Sequence, residues 1–114
     1  MTSGLWTPNE RFLLRTHKTE RATKKRYVIE RDIPGIGGMN GAQYKDAAKT
    51  SNSALAKLAG KCQWEHSYVV DNKTFCIYLA ESEAAVKEHA KLSGFPATKI
   101  TEVRTVLDPM TEVA

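Results

Sequence analysis

The 114-residue sequence is poor in the features that mark membrane proteins, secreted proteins and disulfide-bonded scaffolds. It contains no run of about 18 apolar residues, so we expect no transmembrane helix and no membrane partner. Its first residues lack the apolar core of a secretory signal, and Cys62 and Cys76 are its only cysteines. We therefore expect a single cytoplasmic domain whose two thiols are reduced.

Positive charge is concentrated at the start of the chain. Residues 1–31 hold eight Lys or Arg and three Glu, a balance of +5, whereas the remaining residues sum to −1. A basic segment can contact nucleic acid or another anionic surface. Here the basic residues do not alternate with aromatic ones, since Phe12 is the only aromatic residue between Arg11 and Lys25, and no known nucleic-acid motif is present. We interpret residues 1–25 as a basic, irregular, solvated arm and expect no nucleic-acid partner.

The spacing of apolar residues and turn signals predicts a regular fold over residues 26–109. Asn40 followed by Gln43 matches a capping box, Ser82 is a second helix start, and Gly60 and Gly94 are expected helix ends. The predicted elements are strands near 27–33, 62–70, 73–80 and 99–107, and helices after Asn40 and after Ser82. This β-α-β-β-α-β order predicts an α+β, ferredoxin-like sandwich: one antiparallel sheet with two helices on one face. Residues 110–114 are expected to be a loose tail.

The predicted central hairpin, residues 62–80, carries most of the chemically versatile side chains. A two-residue turn at positions 71–72 sets two alternating faces. One face would hold the pairs Tyr68–Phe75, His66–Ile77 and Trp64–Leu79, and the other Val69–Thr74, Ser67–Cys76 and Glu65–Tyr78. Because the first set is more apolar, we expect it to lie under the helices. His66 would then point toward His89, and Cys62 and Cys76 would point to opposite faces.

The open face of the predicted sheet suggests assembly and a pocket. It would combine polar groups with Val28, Val69, Cys76, Tyr78 and Val106, which are unfavourable in water over a whole face. We therefore predict a homodimer that packs sheet on sheet. A small molecule could also bind there, with Glu30, Tyr78 and Arg104 as its contacts. The alternative is a polar dimer interface without a ligand.

Histidine and cysteine also make a metal site possible. His66, Cys76 and His89 offer the donors preferred by zinc, copper and nickel. Their spacing matches no known metal motif, and the sequence contains neither C-x-x-C nor H-E-x-x-H. The alternatives are a hydrogen-bonded core histidine and a cysteine that acts as a small apolar residue.

Several runs of the sequence resemble one family. They are YVIERDIPG (27–35), WEHSYV (64–69) with Cys76 and Tyr78, VKEHA (86–90) and GFPA (94–97). They are similar to the small ferredoxin-like nickel-binding proteins, long classed as a domain of unknown function. The resemblance covers about residues 27–109 and leaves out the arm. It implies a dimeric ferredoxin-like fold, binding of nickel or a similar divalent transition metal, and His66, Cys76 and His89 as candidate ligands.

Taken together, the sequence predicts a non-catalytic, dimeric metal-binding protein for sequestration, delivery or sensing. The alternative is a small-molecule-binding protein or enzyme of the dimeric α/β-barrel type, with its pocket at Glu30, Tyr78 and Arg104. A third possibility is a partner-binding module that uses the basic arm.

Overall fold

The computed structural model describes residues 24–113. The elements in chain order are β1 (Lys25–Asp32), a 3-10 turn (Ile36–Gly38), α1 (Gly41–Lys57), β2 (Cys62–Val69), β3 (Lys73–Ala80), α2 (Glu83–Ser93), β4 (Lys99–Glu102) and a second 3-10 turn (Pro109–Val113). The predicted basic arm lies outside the described residues except for Lys24 and Lys25. The segment predicted as a loose tail falls largely in the second 3-10 turn.

The four strands form one antiparallel sheet in the order β2-β3-β1-β4. The two helices contact each other and lie on one side of the sheet, where α1 contacts β2 and α2 contacts β2 and β3. The predicted α+β class and ferredoxin-like arrangement are therefore confirmed. Within residues 24–113, neither helix has the length and apolarity that a bilayer span requires.

The helix ends follow from local side-chain chemistry. At α1, the Asn40 side chain accepts from the Gln43 N–H at 2.9 Å, and the Gln43 side chain accepts from the Asn40 N–H at 2.9 Å. At α2, Ser82 Oγ accepts from the Ala85 N–H at 3.2 Å. Gly94 closes α2 in the left-handed conformation, at φ 80°, which glycine adopts without steric cost. Both predicted helix starts are confirmed.

The glycine-rich turn after β1 packs against the tip of the β2–β3 hairpin. The Gly37 N–H donates to the Asp71 carbonyl at 2.9 Å, and the Gly35 N–H donates to Asn72 Oδ1 at 2.9 Å. A Cβ atom at position 37 would lie 2.6 Å from the Val70 carbonyl oxygen. Glycine is therefore required there by close backbone contact.

The hairpin register agrees with the prediction near the turn and departs from it further along β2. His66 pairs with Ile77, Ser67 with Cys76 and Tyr68 with Phe75, as predicted. A bulge between Trp64 and His66 then leaves Glu65 unpaired. Trp64 consequently pairs with Tyr78, so the predicted pairs Trp64–Leu79 and Glu65–Tyr78 are wrong.

The predicted assignment of faces is also wrong. In β3, Thr74, Cys76, Tyr78 and Ala80 are buried under the helices, whereas the alternate residues of the strand are only half-buried. Counting apolar side chains misled the prediction, because the helices pack on small residues and on aromatic rings whose hydroxyl groups find partners. His66 thus lies on the open face, away from His89.

The bulge also decides the position of Cys62. It reverses the alternation along β2, so Cys62 is buried on the same side of the sheet as Cys76. The prediction that the two cysteines point to opposite faces is therefore wrong. Both thiols are free.

Strand β4 is shorter than predicted and ends at Glu102. The Val103 N–H donates to the Arg26 carbonyl at 2.8 Å, one residue from the first residue of β1. Beyond this point the partner strand ends, so the chain leaves the sheet. Val106, predicted on the open face, is 57% exposed outside any strand.

Candidate functional site

A chain of polar side chains runs through the buried layer between the sheet and the helices. Its members are Arg31 from β1, Tyr78 from β3, Ser51 from α1 and His89 from α2. Ser51 Oγ lies 3.4 Å from Tyr78 Oη and 3.2 Å from His89 Nε2. Buried polar groups need partners, and these four supply many of the partners for one another.

His89 is fully buried, and its lowered pKa keeps the ring neutral at neutral pH. Burial is the main cause that lowers the pKa of His89, and the nearby charge of Arg31 lowers that pKa further. Its Nε2 lies 3.4 Å from the Ser51 carbonyl, which can only accept, so this geometry assigns the proton to Nε2. Nδ1 is then an unprotonated nitrogen that has no hydrogen-bond partner among the residues that the structure describes.

Arg31 is 2% exposed, and its hydrogen bonds to other residues of the range 24–113 all go to neutral acceptors. Its Nη1 donates to the carbonyl oxygens of Pro96 at 3.0 Å and Phe95 at 3.4 Å, and its Nη2 donates to Tyr78 Oη at 3.5 Å. No carboxylate in residues 24–113 lies within ion-pairing distance of this guanidinium. An arginine this deeply buried usually has an anionic partner.

Next to this cluster lies a cavity of about 230 Å³ between α1 and the sheet. Arg31, Ser51 and Tyr78 form its polar wall, and Ile36, Trp64 and Phe95 are among its apolar lining residues. Burial raises the pKa of the Tyr78 hydroxyl, which therefore stays protonated and able to donate at neutral pH.

The open face of the sheet has a different character. His66 is exposed there, with Nε2 at 3.1 Å from Tyr68 Oη and the two rings edge to face. Glu65, on the bulge, forms a two-bond ion pair with Arg26 at 2.8 and 3.1 Å. That pairing holds the pKa of the Glu65 carboxyl below its usual range.

The three predicted metal ligands do not meet in one chain. His66 is on the open face, whereas Cys76 and His89 are buried on the helix side. Across the described part of the chain, no group of three or more His, Cys, Asp or Glu side chains is arranged to hold an ion. These residues therefore do not fit a metal ion within a single copy of the chain.

The residues predicted to contact a small molecule are also separated. Tyr78 is 2% exposed on the helix side. Glu30 lies at the hairpin end of the open face, 3.4 Å from Lys73 Nζ. Arg104 follows β4 and lines a groove near Arg26 at the opposite end of the sheet. The three do not form one pocket.

Sequence reasoning missed Arg31 and gave Ser51 no functional role. The signal for Arg31 was present, because it alternates with Tyr27 and Ile29 along β1 and so belongs to the buried face. Arginine is rarely buried, so the residue type gave no reason to assign Arg31 to the core. The bulge at Glu65, which brings Trp64 to the cavity, had no signal in the sequence.

Comparison with known proteins identifies a family to which the sequence belongs. Residues 27–103 match the family model described as nickel responsive protein SCO4226-like. The chain belongs to this family. SCO4226 from Streptomyces coelicolor A3(2) has a similar crystal structure, with a TM-score of 0.61 and 17% sequence identity. The match covers 72% of this chain and 99% of that one, and at this identity it supports the fold alone. A search of curated proteins found no match.

Proposed function

We propose that the protein binds a divalent transition-metal ion, nickel or one of similar chemistry, and serves in its sequestration, delivery or sensing without catalysing a reaction. Membership of a family described as nickel responsive supports the proposal. Imidazole nitrogen is a favoured ligand of nickel, copper and zinc. A location in the cytoplasm stays a prediction.

The observation that carries the proposal is the exposure of His66 on the open face. Its imidazole is accessible to an ion from solvent, and the Tyr68 hydroxyl at 3.1 Å can orient it. The other two candidate ligands are less suitable. Cys76 is 5% exposed beside Thr74 Oγ1 at 3.3 Å, and His89 is wholly enclosed.

One histidine does not complete a site, so we propose that a second copy of the chain supplies further ligands. The open face of β1 and β3 presents the half-buried apolar side chains Val28, Phe75, Ile77 and Leu79. It also carries both signs of charge, in the pairs Arg26–Glu65 and Lys73–Glu30. A face that is apolar at its centre and has both charges can pair with itself about a two-fold axis. Such pairing would bring two copies of His66 onto one interface.

Calorimetric titration of reduced, metal-free protein with nickel and with zinc tests the proposal. We expect saturable binding at about micromolar affinity or tighter in the wild type. His66→Ala is expected to abolish it, whereas Gln63→Ala, a change on the same strand and face, should leave it unaltered. Cys76→Ala and His89→Gln should keep the affinity if they remain folded. Absence of saturable binding, or unchanged binding in His66→Ala, would refute the proposal.

The oligomeric state of the protein tests the proposal that a second copy of the chain supplies metal ligands. Sedimentation analysis should show a dimer for the wild type and a monomer for Ile77→Asp, which buries a charge at the proposed interface. Ala56→Asp is the control, because it introduces the same charge at an exposed position on the far side of the molecule. A wild-type monomer with and without nickel would argue against a shared site.

A further inference from the structure

The cavity between α1 and the sheet has the composition of a ligand site and lies apart from His66. Its volume is about 230 Å³, below the roughly 300–1,000 Å³ of sites for drug-sized molecules. Flat side chains form much of its wall, including Tyr44, Trp64 and Phe95. Val69, which is 44% exposed, also lines the cavity, so the cavity opens to solvent. A small apolar body fits this space.

Arg31 specifies the polar end of such a ligand. It is a 98% buried cation that lines the cavity and, among residues 24–113, has no anionic partner. Its three hydrogen bonds go to two carbonyl oxygens and one hydroxyl. A guanidinium has five N–H donors, and its fork matches the two oxygens of a carboxylate. Within the described part of the chain, the buried charge thus lacks the compensation that an anionic ligand would supply.

Two hydroxyl groups beside Arg31 extend this polar end. Tyr78 Oη is 3.5 Å from Arg31 Nη2 and 3.4 Å from Ser51 Oγ. Tyr78 and Ser51 both line the cavity. Of the described residues that line the cavity, Arg31 alone carries a cationic side chain. One cation and two hydroxyls suit a single negative charge better than a doubly charged phosphate.

We propose that this cavity binds a small molecule with one carboxylate on a flat, apolar body, and that Arg31 binds the carboxylate. The ligand would enter past Val69, place its apolar part against Trp64 and Phe95, and accept hydrogen bonds from Arg31 and Tyr78. The site is independent of the proposed metal site, because the two lie on opposite faces of the sheet.

Trp64 supplies a direct readout. The chain has two tryptophans, so Trp6→Phe in the full-length protein leaves Trp64 as the only one. Benzoate is the probe, and benzamide, with the same shape but no charge, is its control. With a chelator present, we expect benzoate to change the Trp64 emission saturably at about millimolar concentration or below. Benzamide should bind about tenfold more weakly or worse, because it lacks the charge-assisted hydrogen bonds.

Two variants locate the site. Arg31→Met keeps most of the side-chain volume and should weaken benzoate binding by about tenfold or more. Ala48→Leu fills the cavity from α1 without touching the charge and should abolish binding of the probe. Ala56→Leu makes the same change on the exposed side of α1 and should leave binding unaltered. If Arg31→Met does not fold, the comparison of Ala48→Leu with Ala56→Leu decides whether the probe binds in the cavity.

Three results would overturn the proposal: no saturable response up to about 10 mM benzoate, equal affinity for benzoate and benzamide, or equal affinity in Ala48→Leu and Ala56→Leu. Binding of inorganic phosphate that is tighter than that of benzoate would reject the carboxylate assignment. Because the chelator is present throughout, loss of the nickel proposal would leave these results unchanged.

Discussion

The two faces of the sheet differ in what they bury and in what solvent can reach. On the helix side, Tyr78, Ile29 and His89 are almost completely enclosed, and polar atoms there bond to one another. On the open face, Ile77 is half-buried and His66 is exposed. The helix side is therefore a solvent-protected environment that shifts pKa values and that, among residues 24–113, offers no anion to pair with Arg31. The open face offers accessible groups that need a partner.

The largest expected effect compares the same residue type on the two faces. Ile29→Ala removes a fully buried side chain and should lower the free energy of unfolding by about 2–5 kcal/mol. Ile77→Ala, on the open face, should cost about 1 kcal/mol in the monomer. Urea denaturation of both variants measures the difference. Similar costs at low protein concentration would mean that the faces are not distinct.

A smaller effect is expected where the glycine turn meets the hairpin. Gly37→Ala places a methyl group 2.6 Å from the Val70 carbonyl oxygen and should destabilise the protein by about 1–3 kcal/mol. At Gly38 the same methyl group meets no atom of residues 24–113 within 4 Å. Gly38→Ala should therefore be neutral or stabilise by a few tenths of a kcal/mol. Equal melting temperatures for the two variants would show that the close contact is absent in solution.

His89 makes the stability of the protein depend on pH in the acid range. His89 has a lowered pKa in the folded state, so the unfolded chain binds more protons as the pH falls below the unfolded value of about 6.5. Its contribution to stability is complete above that pH and is lost as the pH falls toward the folded pKa. His89→Gln should remove this part of the pH dependence between pH 7 and 5. Parallel curves for the two proteins would contradict a neutral, buried His89.

The smallest effect is on thiol reactivity. Burial raises the pKa of Cys62 to about 11, so at pH 8 only about one thiol in a thousand is ionised. In Cys76→Ala, which leaves Cys62 as the only thiol, an aromatic disulfide reagent should react slowly with native protein and rapidly with unfolded protein. Fast reaction of the native form would show that Cys62 is accessible.

Much of the fold could be predicted from local signals in the sequence. The capping pair Asn40–Gln43, the cap at Ser82 and the terminator Gly94 each act within a few residues, so their effect is visible without tertiary structure. The hairpin turn likewise set the pairing of Tyr68 with Phe75 correctly. These interactions are short-range in the chain.

The site was harder to predict because it depends on long-range packing. A one-residue bulge at Glu65 reverses the face of every β2 residue before it, and nothing in the neighbouring sequence indicates it. The choice of buried face depended on whether the helices cover Ile77 or Tyr78, and apolar content favoured the wrong one. Arg31 was missed because its burial runs against the usual preference of arginine for water.

The most direct test of the metal proposal is to locate nickel on the folded protein. Nickel titrated into isotope-labelled wild-type protein should shift or broaden the backbone amide signals around His66, Tyr68 and Ile77. The amide signals of Ser51, Val86 and His89, on the helix side, should change much less. Selective changes on the open face, lost in His66→Ala, are the predicted result. Changes centred on the helix side, or the same changes in His66→Ala, would contradict the account.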